Sequence, residues 1–182
     1  HRIRLVPALR DLQPTPPDAS HLEGVVEIAE DSAIEPESLR SVLGCMLWQW
    51  GKKSYVQPRI DRLLRTSTEG EVEDRVAALI ALADLYYALR EYKISAATHV
   101  NLQSLANGTQ FELKPVDYYS AACVHALGGD VDRGIEALAK CVELQASLDV
   151  DSSHKVERET FENDPEIRGL RQHERFAAIF AK

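Results

Sequence analysis

The 182-residue chain carries 21 Lys and Arg against 29 Asp and Glu, a formal net charge of −8, and 45% of its residues are apolar. The length predicts one domain, and the apolar fraction excludes a wholly disordered chain. The negative charge argues against nucleic acid or an anionic membrane as a partner, since both reward a basic surface.

No apolar run reaches the roughly 18 residues that span a bilayer, so no membrane insertion is expected. The N-terminus has no signal-peptide pattern. Cys45, Cys123 and Cys141 form a sparse, odd set. That is a poor disulfide framework and favours a reducing, cytoplasmic setting. No Cys-x-x-Cys pair marks a structural zinc site.

His1-Arg2-Ile3-Arg4 is basic, and Gln13-Pro14-Thr15-Pro16-Pro17 is proline-rich. Prolines remove amide donors and favour extended backbone. Residues 1–19 therefore read as an extension or linker, and the start at His1 suggests a piece cut from an upstream domain. Residues 20–182 read as one helical domain. Ser20 and Glu23 have capping-box spacing. Leu22, Val25, Val26, Ile28 and Ala29 continue that helix to about Glu30.

Pro36 suits the first turn of the next helix. Leu39, Val42, Leu43, Met46, Leu47 and Trp50 follow the i, i+3, i+4 period of a buried face. Gly51 and Lys52-Lys53 close it. A helix with Pro58 in its first turn follows. Thr68 and Glu71 repeat the capping-box spacing before a long helix over 71–89. Arg90-Glu91-Tyr92 interrupts, and 93–106 resumes as a helix. Asn107-Gly108 is a turn. Lys114-Pro115 opens a helix to Leu127, Gly128-Gly129-Asp130 turns, and 131–147 is helical. After the polar stretch 149–155, Asp164-Pro165 starts a last helix with Leu170, Phe176, Ile179 and Phe180 apolar. Strand-like alternation is nearly absent, so the expected fold is all-α, built of antiparallel helix pairs.

Several positions recur at one constant interval along the chain. Leu43-Gly44, Leu82-Ala83 and Ala121-Ala122 form one set, followed by Leu47, Tyr86 and His125. Gly51, Arg90 and Gly129 form the next set, at the helix–helix turns. Val56, Ser95 and Gly134, then Leu63, Leu102 and Cys141, stand on the second helices. Small side chains at such positions let helix backbones approach closely.

This pattern resembles the tetratricopeptide repeat family. Leu82-Ala83 with Tyr86 matches its first helix, Gly129-Asp130-Val131 its turn, and Gly134, Leu138 and Cys141 its second helix. Asp164-Pro165-Glu166-Ile167 through Ile179 looks like the closing helix of many bacterial proteins with these repeats, capping the open end of the stack. There are departures. The interval exceeds the family's period of about 34 residues. In the first unit, Leu47 replaces the aromatic, Val56 replaces the small residue, and Pro58 falls early in the second helix. His125 replaces an aromatic in the third. The resemblance implies a right-handed α-solenoid with repeats at about 36–66, 71–106 and 114–147, an N-terminal helix and a cap at 156–182. The other reading is an irregular helical bundle.

The resemblance also implies a concave groove lined by the first helices. Carried over residue by residue, it selects Ser38, Ser41, Cys45, Trp48 and Gln49; Ala77, Ile80, Asp84, Tyr87 and Ala88; and Val116, Tyr119, Cys123, Ala126 and Leu127. Trp48, Tyr87 and Tyr119 are the expected peptide-contacting row, because aromatic side chains bury much area at low entropy cost. The competing reading packs them against the N-terminal helix or the cap. The positions of the family's carboxylate clamp hold Ser41, Cys45, Ala81, Val116 and Ser120. None is a cation or an amide, which argues against a chaperone-tail adaptor.

No glycine-rich phosphate loop, HExxH or GxSxG motif is present. His99 and His125 read as core histidines rather than metal ligands. The expected function is therefore a non-catalytic scaffold that binds a protein or peptide partner without a cofactor. The alternatives are an accessory domain of a larger kinase or redox enzyme, and a self-assembling homo-oligomer.

Overall fold

The computed structural model describes residues 23–26, 37–147 and 155–181, with residues 37–41 described for the backbone alone. The Ser20 cap, Pro36, the proline-rich extension and most of the polar stretch 149–155 lie outside the described residues. Residues 23–26 are helical. The helices that follow are α1 (Glu37–Gln49), α2 (Gln57–Glu69), α3 (Val72–Ala88), α4 (Tyr92–Asn107), α5 (Pro115–Gly128) and α6 (Val131–Gln145). The C-terminal pieces are α7 (Arg158–Asn163), a 3-10 turn (Pro165–Ile167), α8 (Arg168–Arg171) and α9 (Phe176–Ile179). No strand occurs among the described residues, so the fold is all-α with adjacent helices packed together.

Three turns, one per recurring unit, share one geometry. Gly51, Arg90 and Gly129 have φ of +80°, +62° and +85°. Gly51, Arg90 and Gly129 amides donate to the carbonyls of Trp48, Tyr87 and Ala126. The next amides, of Lys52, Glu91 and Asp130, donate to Leu47, Tyr86 and His125. This is the Schellman closure, which satisfies the last carbonyls of a helix through one left-handed residue. Glycine adopts that conformation freely, whereas Arg90 does so against its Cβ.

The second helix of each unit crosses the first at the positions carrying small residues. A Cβ on Gly44 would stand 3.3 Å from Val56 Cγ2. Ser95 Oγ donates to the Ala83 carbonyl at 2.8 Å. A Cβ on Gly134 would stand 3.4 Å from the Ala122 carbonyl. Val56, read from sequence as a misfit, is thus offset by the glycine it faces.

Among the described residues the core is a chain of three apolar clusters. Cys45, Trp48, Val56, Ile60, Leu82, Tyr86 and Leu89 join unit one to unit two. Val76, Leu79, Leu102, Ala106 and Leu113 carry the core toward α5. Ala121, Ala122, Ile135, Leu138 and Cys141 join the C-terminal pieces through Phe161, Ile167 and Leu170. Burying each large aliphatic side chain contributes about 1.5–3 kcal/mol.

Two expectations are corrected. Thr68 does not cap α3; it lies inside α2, where its hydroxyl bonds back to the Leu64 and Arg65 carbonyls. Glu71 takes the N-cap position without a side-chain cap. The last helix is not continuous from Asp164. It breaks into a 3-10 turn and two one-turn helices, because Asp164 bonds the Glu166 amide and His173 Nδ1 accepts from the Arg175 amide. Local side-chain bonds of this kind compete with helix propagation. Helix α7 has no counterpart among the sequence expectations.

His125 occupies the position that Tyr86 holds one unit earlier. It is buried, and its Nδ1 has no hydrogen bond; Asp130 Oδ2 lies 3.9 Å away. Burial holds its imidazole below the ordinary histidine range, against the pull of Asp130. The folded chain therefore favours the neutral ring. As pH falls below about 6.5, the unfolded chain takes up the proton first and stability is lost. His125→Phe is expected to lessen that acid sensitivity. Urea denaturation of both proteins at about pH 7.5 and about pH 5.5 checks it, since the variant's advantage must grow at the lower pH.

Candidate functional site

Local sequence places two tyrosines on the same side of successive units. Tyr87 is in the last turn of α3 and Tyr119 in the second turn of α5, one turn before Cys123. Cys123, 5% exposed, is buried beside Tyr119. Across them lies the turn made by Asp164-Pro165-Glu166. Proline begins the 3-10 helix, and the Asp164 Oδ1 caps it by accepting from the Glu166 amide at 2.9 Å. Arg171 holds the turn from behind, donating to the Asp164 and Phe161 carbonyls at 2.8 and 3.3 Å.

The two surfaces meet through charge-assisted hydrogen bonds. Tyr119 donates its hydroxyl proton to Asp164 Oδ2 at 2.8 Å. Tyr87 donates to Glu166 Oε1 and packs its ring 5.9 Å from that of Tyr92. Bonds from a neutral donor to a carboxylate are stronger than neutral pairs. Burial raises both phenols above the ordinary tyrosine range, and the neighbouring carboxylates raise them further. Both therefore remain donors at any physiological pH.

Cys123, Asp164 and Glu166 bring one thiol sulfur and two carboxylate oxygens within 4.8 Å of one another. Among the described residues, these are the ones that could hold a metal ion. Burial, then Glu166 and Asp164, push the Cys123 thiol well above its ordinary range. A thiol kept protonated is a poor nucleophile and a poor ligand. Each carboxylate accepts a phenol hydrogen bond, so the group acts as a hydrogen-bonded latch. Cys45 and Cys141 are also free and buried, with burial pushing them up to about 11 and about 12.

The expected groove residues thus separate. Tyr87, Tyr119 and Cys123 come together, under the chain's own C-terminal segment. Trp48 goes elsewhere: it packs among Leu82, Tyr86 and Leu89. Its indole donates to Glu91 at 3.0 Å, with Lys53 Nζ 4.6 Å from the ring centre. Gln49 donates to the Leu89 carbonyl. Both residues fasten unit one to the α3–α4 turn. Ile80 is half-buried against the middle cluster, Leu127 is half-buried, and Asp84 is exposed. Neither His99 nor His125 belongs to a three-donor group among the described residues.

Asp164 and Glu166 as partners of the tyrosines were missed in the sequence. The available signal was two carboxylates flanking a proline in a segment expected to close the stack. Trp48→Phe keeps the apolar ring and removes the bond to Glu91. It is expected to cost about 1.5 kcal/mol in urea denaturation, the low end for a hydrogen bond to a charged group, because this one is partly exposed.

Comparison of the chain with protein-family models, with curated proteins and with solved structures returns no match. Among the described residues, no helix is long and apolar enough to cross a membrane.

Proposed function

We propose that this chain is a non-catalytic protein-interaction scaffold: a right-handed solenoid of three tetratricopeptide-like helix pairs that holds a peptide or helix of a partner on its concave face. The repeat reading is supported by the left-handed turn and close helix crossing that recur once in each unit. The binding reading is carried by one observation. A segment 45 and 79 residues away in sequence sits on α5 and α3, its carboxylates held by Tyr119 and Tyr87. That is how a helical-repeat face grips a peptide: polar anchors fix the segment and apolar packing supplies the area.

The part of this face on α3 that the segment leaves open carries exposed Ala77. The test is capture of a partner from native lysate by the full chain and by an Ala77→Arg variant. The partner should be lost from the variant while its melting stays close to wild type. Equal capture by both would move the binding surface off this face and overturn the reading.

A further inference from the structure

We infer that the face formed by Tyr87, Tyr119 and Cys123 is a receptor for acidic turn segments of the pattern Asp-x-Glu-aliphatic-x-x-aliphatic, and that residues 164–170 are its resident occupant. This rests on the scaffold reading and names the partner chemistry of the same site. The pattern is read from the seated segment. Asp164 takes the Tyr119 hydroxyl and Glu166 the Tyr87 hydroxyl. Ile167 and Leu170 are both 0% exposed, with Leu170 lying against Gly134. Each anchor on the face comes from a different unit, so the spacing of the two carboxylates is matched to the spacing of the units.

The occupant behaves as a bound peptide rather than a self-standing helix. Its pieces span 6, 3, 4 and 4 residues, whereas isolated helices need about 12–15 to hold together. Its order therefore comes from the face it lies on. Short segments held by docking open at lower free energy than the long helices they pack on. A partner segment of the same pattern can then take the place of the resident one. Tethered in cis, the resident competes at an effective concentration on the order of millimolar. It thereby lowers the apparent affinity for any partner, as a minor competent state does. A partner gains access when the resident's two carboxylate bonds are weakened.

The probe is a fluorescein-labelled synthetic peptide of residues 157–173, titrated with the full chain and read by polarisation. Asp164→Asn/Glu166→Gln in the full chain keeps Ile167 and Leu170, leaves an amide oxygen at 164 to cap the Glu166 amide, and weakens the bonds to the two tyrosines. The expected result is at least tenfold tighter probe binding than wild type. Adding Tyr87→Phe/Tyr119→Phe should abolish that gain, and a probe with Asn and Gln at the two positions should bind at least tenfold more weakly. No gain, or equal binding of both probes, overturns the proposal. A measurement on wild type stands apart from any folding defect. Excess unlabelled probe should speed hydrogen exchange across 164–171, and unchanged exchange overturns the proposal. A dimer in light scattering that excludes the probe would make a second copy the occupant and also overturn it. Loss of the probe result alongside intact partner capture, still sensitive to Ala77→Arg, would leave the scaffold reading standing.

Discussion

Phe161→Ala is expected to lower stability by about 3–5 kcal/mol, the usual range for removing a fully buried aromatic. Phe161 is 2% exposed. Its ring meets Tyr119 edge-on at 5.5 Å and Phe180 at 5.3 Å. Phe180 in turn meets Phe176 at 5.2 Å. One line of four aromatic rings thus runs from α5 through α7 to α9, and Phe161 joins Tyr119 to the Phe180–Phe176 pair. Truncation leaves a cavity walled by rings that are anchored elsewhere, so collapse recovers little. Urea denaturation followed by circular dichroism measures the loss. Hydrogen exchange locates it: amides of 155–181 should exchange faster while those of 72–107 keep their protection. A loss below about 1 kcal/mol would mean that the site collapses after all. A uniform rise in exchange would mean that the C-terminal segment does not open separately from the repeats.

Gly134→Val is expected to destabilise by about 2–3 kcal/mol through overpacking. A Cβ there would stand 2.7 Å from Leu170 Cδ2 and 3.3 Å from Cδ1. Leu170 is fully buried among Ile135, Leu138 and Ile167, so moving its methyl groups disturbs the last apolar cluster. The facing Ala122 carbonyl is further, at 3.4 Å. The repeat logic of unit one, where Val56 is accommodated by Gly44, suggests Ala122→Gly as a rescue. The distances point instead to Leu170→Ala. That change alone should cost about 2–5 kcal/mol by leaving a cavity; combined with Gly134→Val the two should cost clearly less than their sum. A double-mutant cycle by urea denaturation decides between the partners. Rescue by Ala122→Gly and none by Leu170→Ala would mean that the helix crossing, not the C-terminal segment, sets the size limit at 134.

The difference between these positions shows which features were legible. The i, i+3, i+4 period placed α1, and proline, glycine and turn signals placed α2 through α6, within a few residues, because both are local properties of the chain. Thr68 misled, since a hydroxyl three residues before a glutamate can equally bond back into its own helix. Trp48 and Tyr87 stand one repeat interval apart, at equivalent positions, yet one is buried against the next turn and the other receives a distant carboxylate. Their shared place in the repeat could not separate them.

The constant recurrence interval was written in the chain, and with it the helix order, the places of the turns at Gly51, Arg90 and Gly129, and the small residues where helices cross. All of these depend on neighbours within one unit, where sequence spacing converts directly into geometry. The site depends on residues 45 and 79 positions apart. No periodicity relates Asp164 to Tyr119 or Glu166 to Tyr87. Their meeting follows from the path the chain takes after α6, guided by Phe161, Ile167 and Leu170 into the last apolar cluster. Tertiary packing alone decided that the expected peptide row is split, with Trp48 drawn into the core and the two tyrosines closed over by the chain's own acidic turn.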